Sequence, residues 1–100
     1  MIELNNNQRN YLRKLAHDLK PVVQVGKNGL NAAVLAAVEQ ALENHELIKV
    51  KFVEHKEERR ELTEQLVNET NSGLVLLVGN VAILYRQSSD DDKRTIILPN

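Results

Sequence analysis

Val22-Val23-Gln24-Val25-Gly26-Lys27-Asn28-Gly29 runs from a β-branched stretch into a short turn bounded by two glycines. Just beyond it Asn31 is a good helix cap, and Val34, Leu35, Val38, Ala41 and Leu42 recur at helical spacing. The stretch therefore predicts a strand, a glycine loop and a helix in succession.

The flanking sequence extends the pattern in both directions. Downstream, Asn44 lies past the helix end, and Leu47 to Val53 alternates, with Ile48, Val50 and Phe52 on one side and Lys49 and Lys51 on the other. That is a strand with one buried side. Glu54 to Glu69 is acidic but keeps Leu62, Leu66, Val67 and Thr70 on one stripe, which predicts a third helix with its acids in water and Asn71-Ser72-Gly73 as its stop. Leu74 to Val78 and Val81 to Arg86 are apolar runs joined by Gly79-Asn80, a pair suited to a two-residue hairpin. Both of its faces are apolar, so the hairpin is expected at the centre of the sheet and covered on both sides, at least in part. Upstream, Asn5 to Asn7 can cap a first helix carrying Leu12, Leu15, Ala16 and Leu19, expected from about residue 6 to 19 and ended by Lys20-Pro21. Gln87 to Lys93 reads as a loop, and Thr95-Ile96-Ile97-Leu98-Pro99 as a short closing strand. The order is αβαβαββ, and the expected fold is α/β, an α+β two-layer sandwich on a four-stranded mixed sheet.

A chain of 100 residues, 42% hydrophobic and 27% charged, has room for one core, so one domain over residues 1–100 is expected. The longest apolar run, Gly73 to Leu84, is interrupted by Gly79-Asn80 and falls short of a membrane span, and no basic-then-apolar leader opens the chain. A cytoplasmic monomer is expected. Cysteine is absent and His17, His45 and His55 lie far apart, so neither a disulfide framework nor a zinc site is expected, and no cofactor is implied. Asp90-Asp91-Asp92 reads as a solvated loop rather than a Mg²⁺ site, because successive residues seldom converge on one ion. No Ser or Cys nucleophile is paired with a base and the paired carboxylates fall on a wet helix face, so no enzyme is expected.

Net charge is −1, but it is unevenly spread. Residues 1–30 carry Arg9, Arg13, Lys14, Lys20 and Lys27 against Glu3 and Asp18, whereas residues 54–100 are net acidic. Arg9, Arg13, His17 and Lys20, with Lys14 alongside, make a basic stripe along the first helix. Gly26-Lys27-Asn28-Gly29 is the sharpest local signal: its glycines let the backbone pass close to a ligand, and the helix after it turns free amides and a positive dipole end toward the same place. A phosphate would fit. On the motif alone a steric role for the glycines comes first; the cations around it tilt the reading toward an anion. The loop lacks the Gly-Lys-Ser/Thr ending of a nucleotide-binding P-loop and is too short to wrap a triphosphate, so no small-molecule substrate is expected. Tyr11, Phe52 and Tyr85 are the only aromatics, too few for a base-stacking platform on the sheet.

Val25-Gly26-Lys27-Asn28-Gly29-Leu30, Glu46-Leu47-Ile48-Lys49-Val50-Lys51, and Val78-Gly79-Asn80 with Leu84-Tyr85-Arg86 closely resemble the YhbY family. These are the stand-alone bacterial members of the CRM group, the chloroplast RNA splicing and ribosome maturation domains. The resemblance runs from about Gln8 to Pro99 and includes Leu15-Ala16-His17 and Leu19-Lys20-Pro21. It implies a core like the C-terminal domain of bacterial translation initiation factor three, and association with ribosomal RNA in precursors of the large ribosomal subunit. By the same resemblance Gly26, Lys27, Asn28 and Gly29 would meet the RNA backbone, with Arg13, Lys14 and Lys20 as flanking phosphate contacts. The sequence departs from the family at its Asn-rich start and at Asp90 to Asp92, where family tails tend to be more basic. The competing reading is a protein interaction adaptor that works through the acidic third helix.

Overall fold

A computed structural model describes residues 1–100. The elements are α1 (Asn6–Ala16), β1 (Val23–Val25), α2 (Ala32–His45), β2 (Leu47–Phe52), α3 (Arg59–Thr70), β3 (Gly73–Val78) and β4 (Val81–Tyr85), with short 3₁₀ turns at Lys56–Glu58 and Asp91–Lys93. The sheet runs β1-β2-β4-β3, with β1 parallel to β2 and the other pairings antiparallel. This is the expected α/β fold, three helices on a four-stranded mixed sheet.

Alternation along the strands divides the interior in two. Val23, Val25, Ile48, Val50, Phe52, Ala82 and Leu84 point to one face and pack with Val38 and Leu42 of α2 and Leu66 and Val67 of α3. Leu47, Val75, Ile83 and Tyr85 point to the other and pack with Leu12 and Ala16 of α1, Leu4 and, at the margin, Ile96 and Leu98. Helix α1 thus adds a third layer beyond the two expected. Of the hairpin strands, β4 is interior and β3 is an edge, so only half of the hairpin is central, although both faces are covered in part.

Several boundaries differ from the sequence expectation, each for a local reason. Helix α1 stops at Ala16 rather than near 19: His17 and Leu19 donate backbone bonds three residues back, and Lys49 Nζ donates to the Leu19 carbonyl at 2.9 Å. Helix α3 starts at Arg59 rather than Glu54, because His55 at φ 57° breaks the helical path and a 3₁₀ turn intervenes. Its stop is Asn71 in the left-handed region; Gly73 already belongs to β3, where a side chain would meet Leu4 Cδ1 at 3.0 Å.

The closing strand at Thr95 to Pro99 is not formed, and the cause is one buried carboxylate. Glu46, with φ 65° and no exposed surface, accepts backbone N–H groups from Ser88 at 2.8 Å, Thr95 at 2.8 Å and Ile96 at 3.2 Å. Amides that would have paired with a strand are thereby bound to a side chain, while Ile96 and Leu98 still alternate inward onto the α1 face. Beside it, Glu39 and Glu43 hold Arg86 at 2.7 and 3.0 Å. The hydrogen bond from the Ser89 hydroxyl, with Arg86 adding to it, keeps the Glu43 carboxyl below the usual carboxylate range.

Candidate nucleic-acid interface

The loop Gly26–Gly29 leaves the sheet at the end of β1 and delivers the chain to α2. Asn31 caps that helix by accepting from Val34 N–H at 2.9 Å, and no acid occupies the first turn to compete for an anion. Gly29 N–H donates to the Gly26 carbonyl at 3.0 Å, closing a turn, while the N–H groups of Gly26, Lys27 and Asn28 have no acceptor within the protein. Three successive free amides ahead of the α2 N-terminus are available to an acceptor from outside the protein. The Lys27 and Asn28 side chains are exposed and make no hydrogen bond.

The two glycines have different reasons to be there. Gly29 sits at φ 63°, where a side chain is strained. Gly26 has no such dihedral, and a Cβ built on it would meet nothing within 4 Å. The fold therefore accounts for Gly29 and leaves Gly26 without an internal reason. Gly26→Ala is expected to leave the melting temperature unchanged or slightly higher in a thermal melt, since the unfolded chain loses freedom and the folded one loses nothing.

A latch on the loop was not foreseen. His55 Nε2 lies 2.8 Å from the Lys27 carbonyl and donates to it, so a side chain 28 residues away fixes the turn. No local pattern in the sequence carries that pairing; the left-handed backbone at His55 is what aims the ring.

The basic residues do not all gather at the loop. A strand of three residues separates Lys20 from Lys27, so the two stand at opposite ends of β1, roughly 3.3 Å apart per intervening residue. Lys20 instead lines a groove of about 600 Å³ with Tyr11, Leu15, Leu19 and Val22 on the flank of α1 nearest the start of β2. Arg9, Arg13 and His17, spaced by four, occupy the opposite flank, and Lys14 faces outward. Lys49, half-buried, is tied to the end of α1, whereas Lys51 is exposed and unpaired. Strand alternation already marked Lys51 and Gln24 as facing away from the α2 layer, which is the signal by which they could have been found. None of Arg13, Lys14, Lys20, Lys27 or Lys51 forms an ion pair, although Asp18 lines a shallow groove with Arg13 and Lys14.

Known proteins resemble this chain over nearly its whole length. An RNA-binding protein of Haemophilus influenzae is 43% identical over 91 residues, covering 90% of this chain and 92% of its own. YqeI of Bacillus subtilis is 38% identical over 89 residues, covering 88% and 93%. The solution structure of SAV1595 from Staphylococcus aureus superposes with a TM-score of 0.79 at 37% identity, over 97% of this chain and all of that one. Residues 4–86, which include the glycine loop, Glu46 and the β3–β4 hairpin, match the CRS1/YhbY (CRM) domain, and with that span and those identities the chain belongs to this family.

Proposed function

We propose that the protein is an RNA-binding module that assists assembly of the large ribosomal subunit. It holds precursor ribosomal RNA through Gly26, Lys27, Asn28 and Gly29, with Arg13, Lys14 and Lys20 as flanking phosphate contacts. The observation that carries this reading is Gly26: a glycine that neither dihedral nor packing requires, among three free amides, is what close approach of an external phosphate backbone needs. The Haemophilus relative is named for RNA binding, and the Staphylococcus structure is described as a candidate RNA binder. Binding of a ribosomal RNA fragment to Gly26→Ala tests it directly. Affinity is expected to fall roughly tenfold or more, as when one charge-assisted hydrogen bond of about 1.5–3 kcal/mol is obstructed. Unaltered affinity would remove the loop from the interface.

The flanking cations make a different prediction. Arg13→Ala, Lys14→Ala and Lys20→Ala should each weaken binding by a similar factor for all RNA sequences and flatten the dependence of log affinity on log salt by about one unit per lost contact. A salt titration of the three variants separates them, and Lys20, standing at the far end of β1, should show the smallest change.

In cells, a net charge of −1 gives little diffuse attraction to RNA, so binding depends on several phosphates being matched at once. Unfinished large subunits present such open surfaces. In gradient-fractionated lysates the protein is expected to travel with large-subunit precursors, and its removal to slow large-subunit maturation, most visibly in the cold. Recovery only in ribosome-free fractions, with normal subunit profiles without it, would refute the assembly role.

A further inference from the structure

The same surface carries information about the form of the RNA, an inference that rests on the RNA-binding reading above. At the loop end of the sheet, on the α1 side, one cross-strand row runs over all four strands: Gln24 beside Lys51, Lys51 beside Val81, and Val81 beside Val78. Gln24, Lys51 and Val78 are exposed and Val81 is half-buried, because α1 covers only the other half of this face. With strands about 4.8 Å apart the row is about 14 Å long, and it is open and shallow. The glycine loop borders it at the β1 end, and the Arg13 and His17 flank of α1, opposite the apolar groove, faces it, whereas Arg9 is turned to the start of β3, its Nε donating to the Leu74 carbonyl.

What this surface lacks is equally specific. Single-stranded nucleic acid is held by aromatic rings on which unstacked bases lie, in a groove that follows one backbone. Phe52 is fully buried in the α2 layer, Tyr85 is buried under α1, and Tyr11 stands on the opposite flank of α1 in the apolar groove. No phenyl or phenol ring reaches the cationic face; its only rings are the imidazoles of His17 on the α1 flank and of His55, the latter tied to the Lys27 carbonyl. A helical RNA asks for something else: two lines of phosphate on either side of a wide, shallow minor groove lined with 2′-hydroxyls. Two cationic borders, the loop with Lys27 at the β1 end and the α1 flank with Arg13 along the side, frame a low polar and small-apolar strip and offer phosphate contacts to both strands. The Gln24 amide, able to donate and to accept, sits where the hydroxyls would face it.

We infer that the RNA recognised is double-helical, gripped across its minor groove by the backbone and the 2′-hydroxyls, with no base taken out of its stack. The experiment compares three probes with the intact protein at one salt concentration, by fluorescence anisotropy: a mixed-sequence RNA duplex of about 16 base pairs, of the length a minor-groove-spanning domain covers, an unstructured RNA strand of the same length, and the DNA duplex of the same sequence. The RNA duplex is expected to bind at least tenfold more tightly than either of the others. Gln24→Ala, at an exposed and uncharged position, is expected to lower duplex RNA affinity severalfold while leaving the single strand unchanged. Equal or tighter binding of the single strand overturns the inference and leaves the RNA-binding function standing. Equal binding of the DNA duplex also overturns it, since charge alone would then suffice. Binding of none of the three would defeat the RNA-binding reading itself.

Discussion

Changing Lys27 and Asn28 together to Asp is expected to lower RNA affinity at least about a hundredfold while the melting temperature moves by no more than a surface substitution allows, about 0.5 kcal/mol of stability. Both side chains are exposed and bonded to nothing, and the one loop atom that the fold uses there, the Lys27 carbonyl held by His55, belongs to the backbone and survives the change. Two carboxylates would then stand among the three free amides and fill the anion position from within. Like charge opposite phosphate costs several kcal/mol in a close interface, and each 1.4 kcal/mol is a factor of ten. Direct titration with ribosomal RNA, alongside a thermal melt, gives both numbers. Retained affinity would show that phosphate does not sit on this loop.

Glu46→Ala is expected to have the largest effect on stability, about 3 kcal/mol or more, which for a chain of this size lowers the melting temperature by roughly 12 °C or more. Three backbone donors lose their acceptor at once, that of Ser88 buried and those of Thr95 and Ile96 part-buried, and an unsatisfied buried donor costs about 1–3 kcal/mol. Removing the carboxylate recovers its own desolvation cost, which offsets part of this but leaves the donors stranded. Should the segment detach so that water reaches them, Ile96 and Leu98 leave the α1 layer and the loss is paid in apolar area instead. Thr95→Pro, which removes one donor, should cost less than Glu46→Ala; Thr95→Ala, which removes none, should be close to neutral. Acid acts on the same region. The folded-state value for Glu43 is lowered, so its contribution is present above about pH 4.5 and is lost as pH falls through the lower folded value. Burial, together with the Glu46 charge, pushes the Tyr85 hydroxyl up, so its contribution is complete below pH 10 and fades only above it.

The parts of this fold that could be read from the sequence are those governed by period and composition. Val34, Leu35, Val38, Ala41 and Leu42 mark α2, and the alternation about Val50 marks β2, because in each case the side chains meet partners according to their own spacing. The glycine loop was legible for the same reason, as punctuation between two periodic runs. What could not be read were the places where a side chain satisfies backbone far away. Nothing around Glu46 signals that its carboxylate will take up amides more than forty residues on, and without that knowledge Thr95 to Leu98 has every mark of a strand. His55 was equally silent as the latch of the loop. The first helix ends short of its apolar pattern, because Leu19 keeps the spacing while its carbonyl is claimed by Lys49. As for the cations, helical spacing placed Arg13 and Lys14 on α1 correctly, while Lys20 and Lys27 stand at opposite ends of β1, a separation that the extended run from Val22 to Val25 already implies.

The carboxylate of Glu46 also bears on the order in which the molecule assembles. Until Ser88, Thr95 and Ile96 arrive, 42, 49 and 50 residues along the chain, that group is an ion best left in water, and water must therefore persist between the start of β2 and the α1 layer. Dehydration of this corner waits on distant contacts that close together rather than one by one. In native-state hydrogen exchange the amides of Ser88, Thr95 and Ile96 should consequently open as one cooperative unit, at a lower free energy than Val50 or Leu84 in the middle of the sheet. The C-terminal segment is then a late-closing seam, the last part of the molecule to become dry and the first to admit solvent.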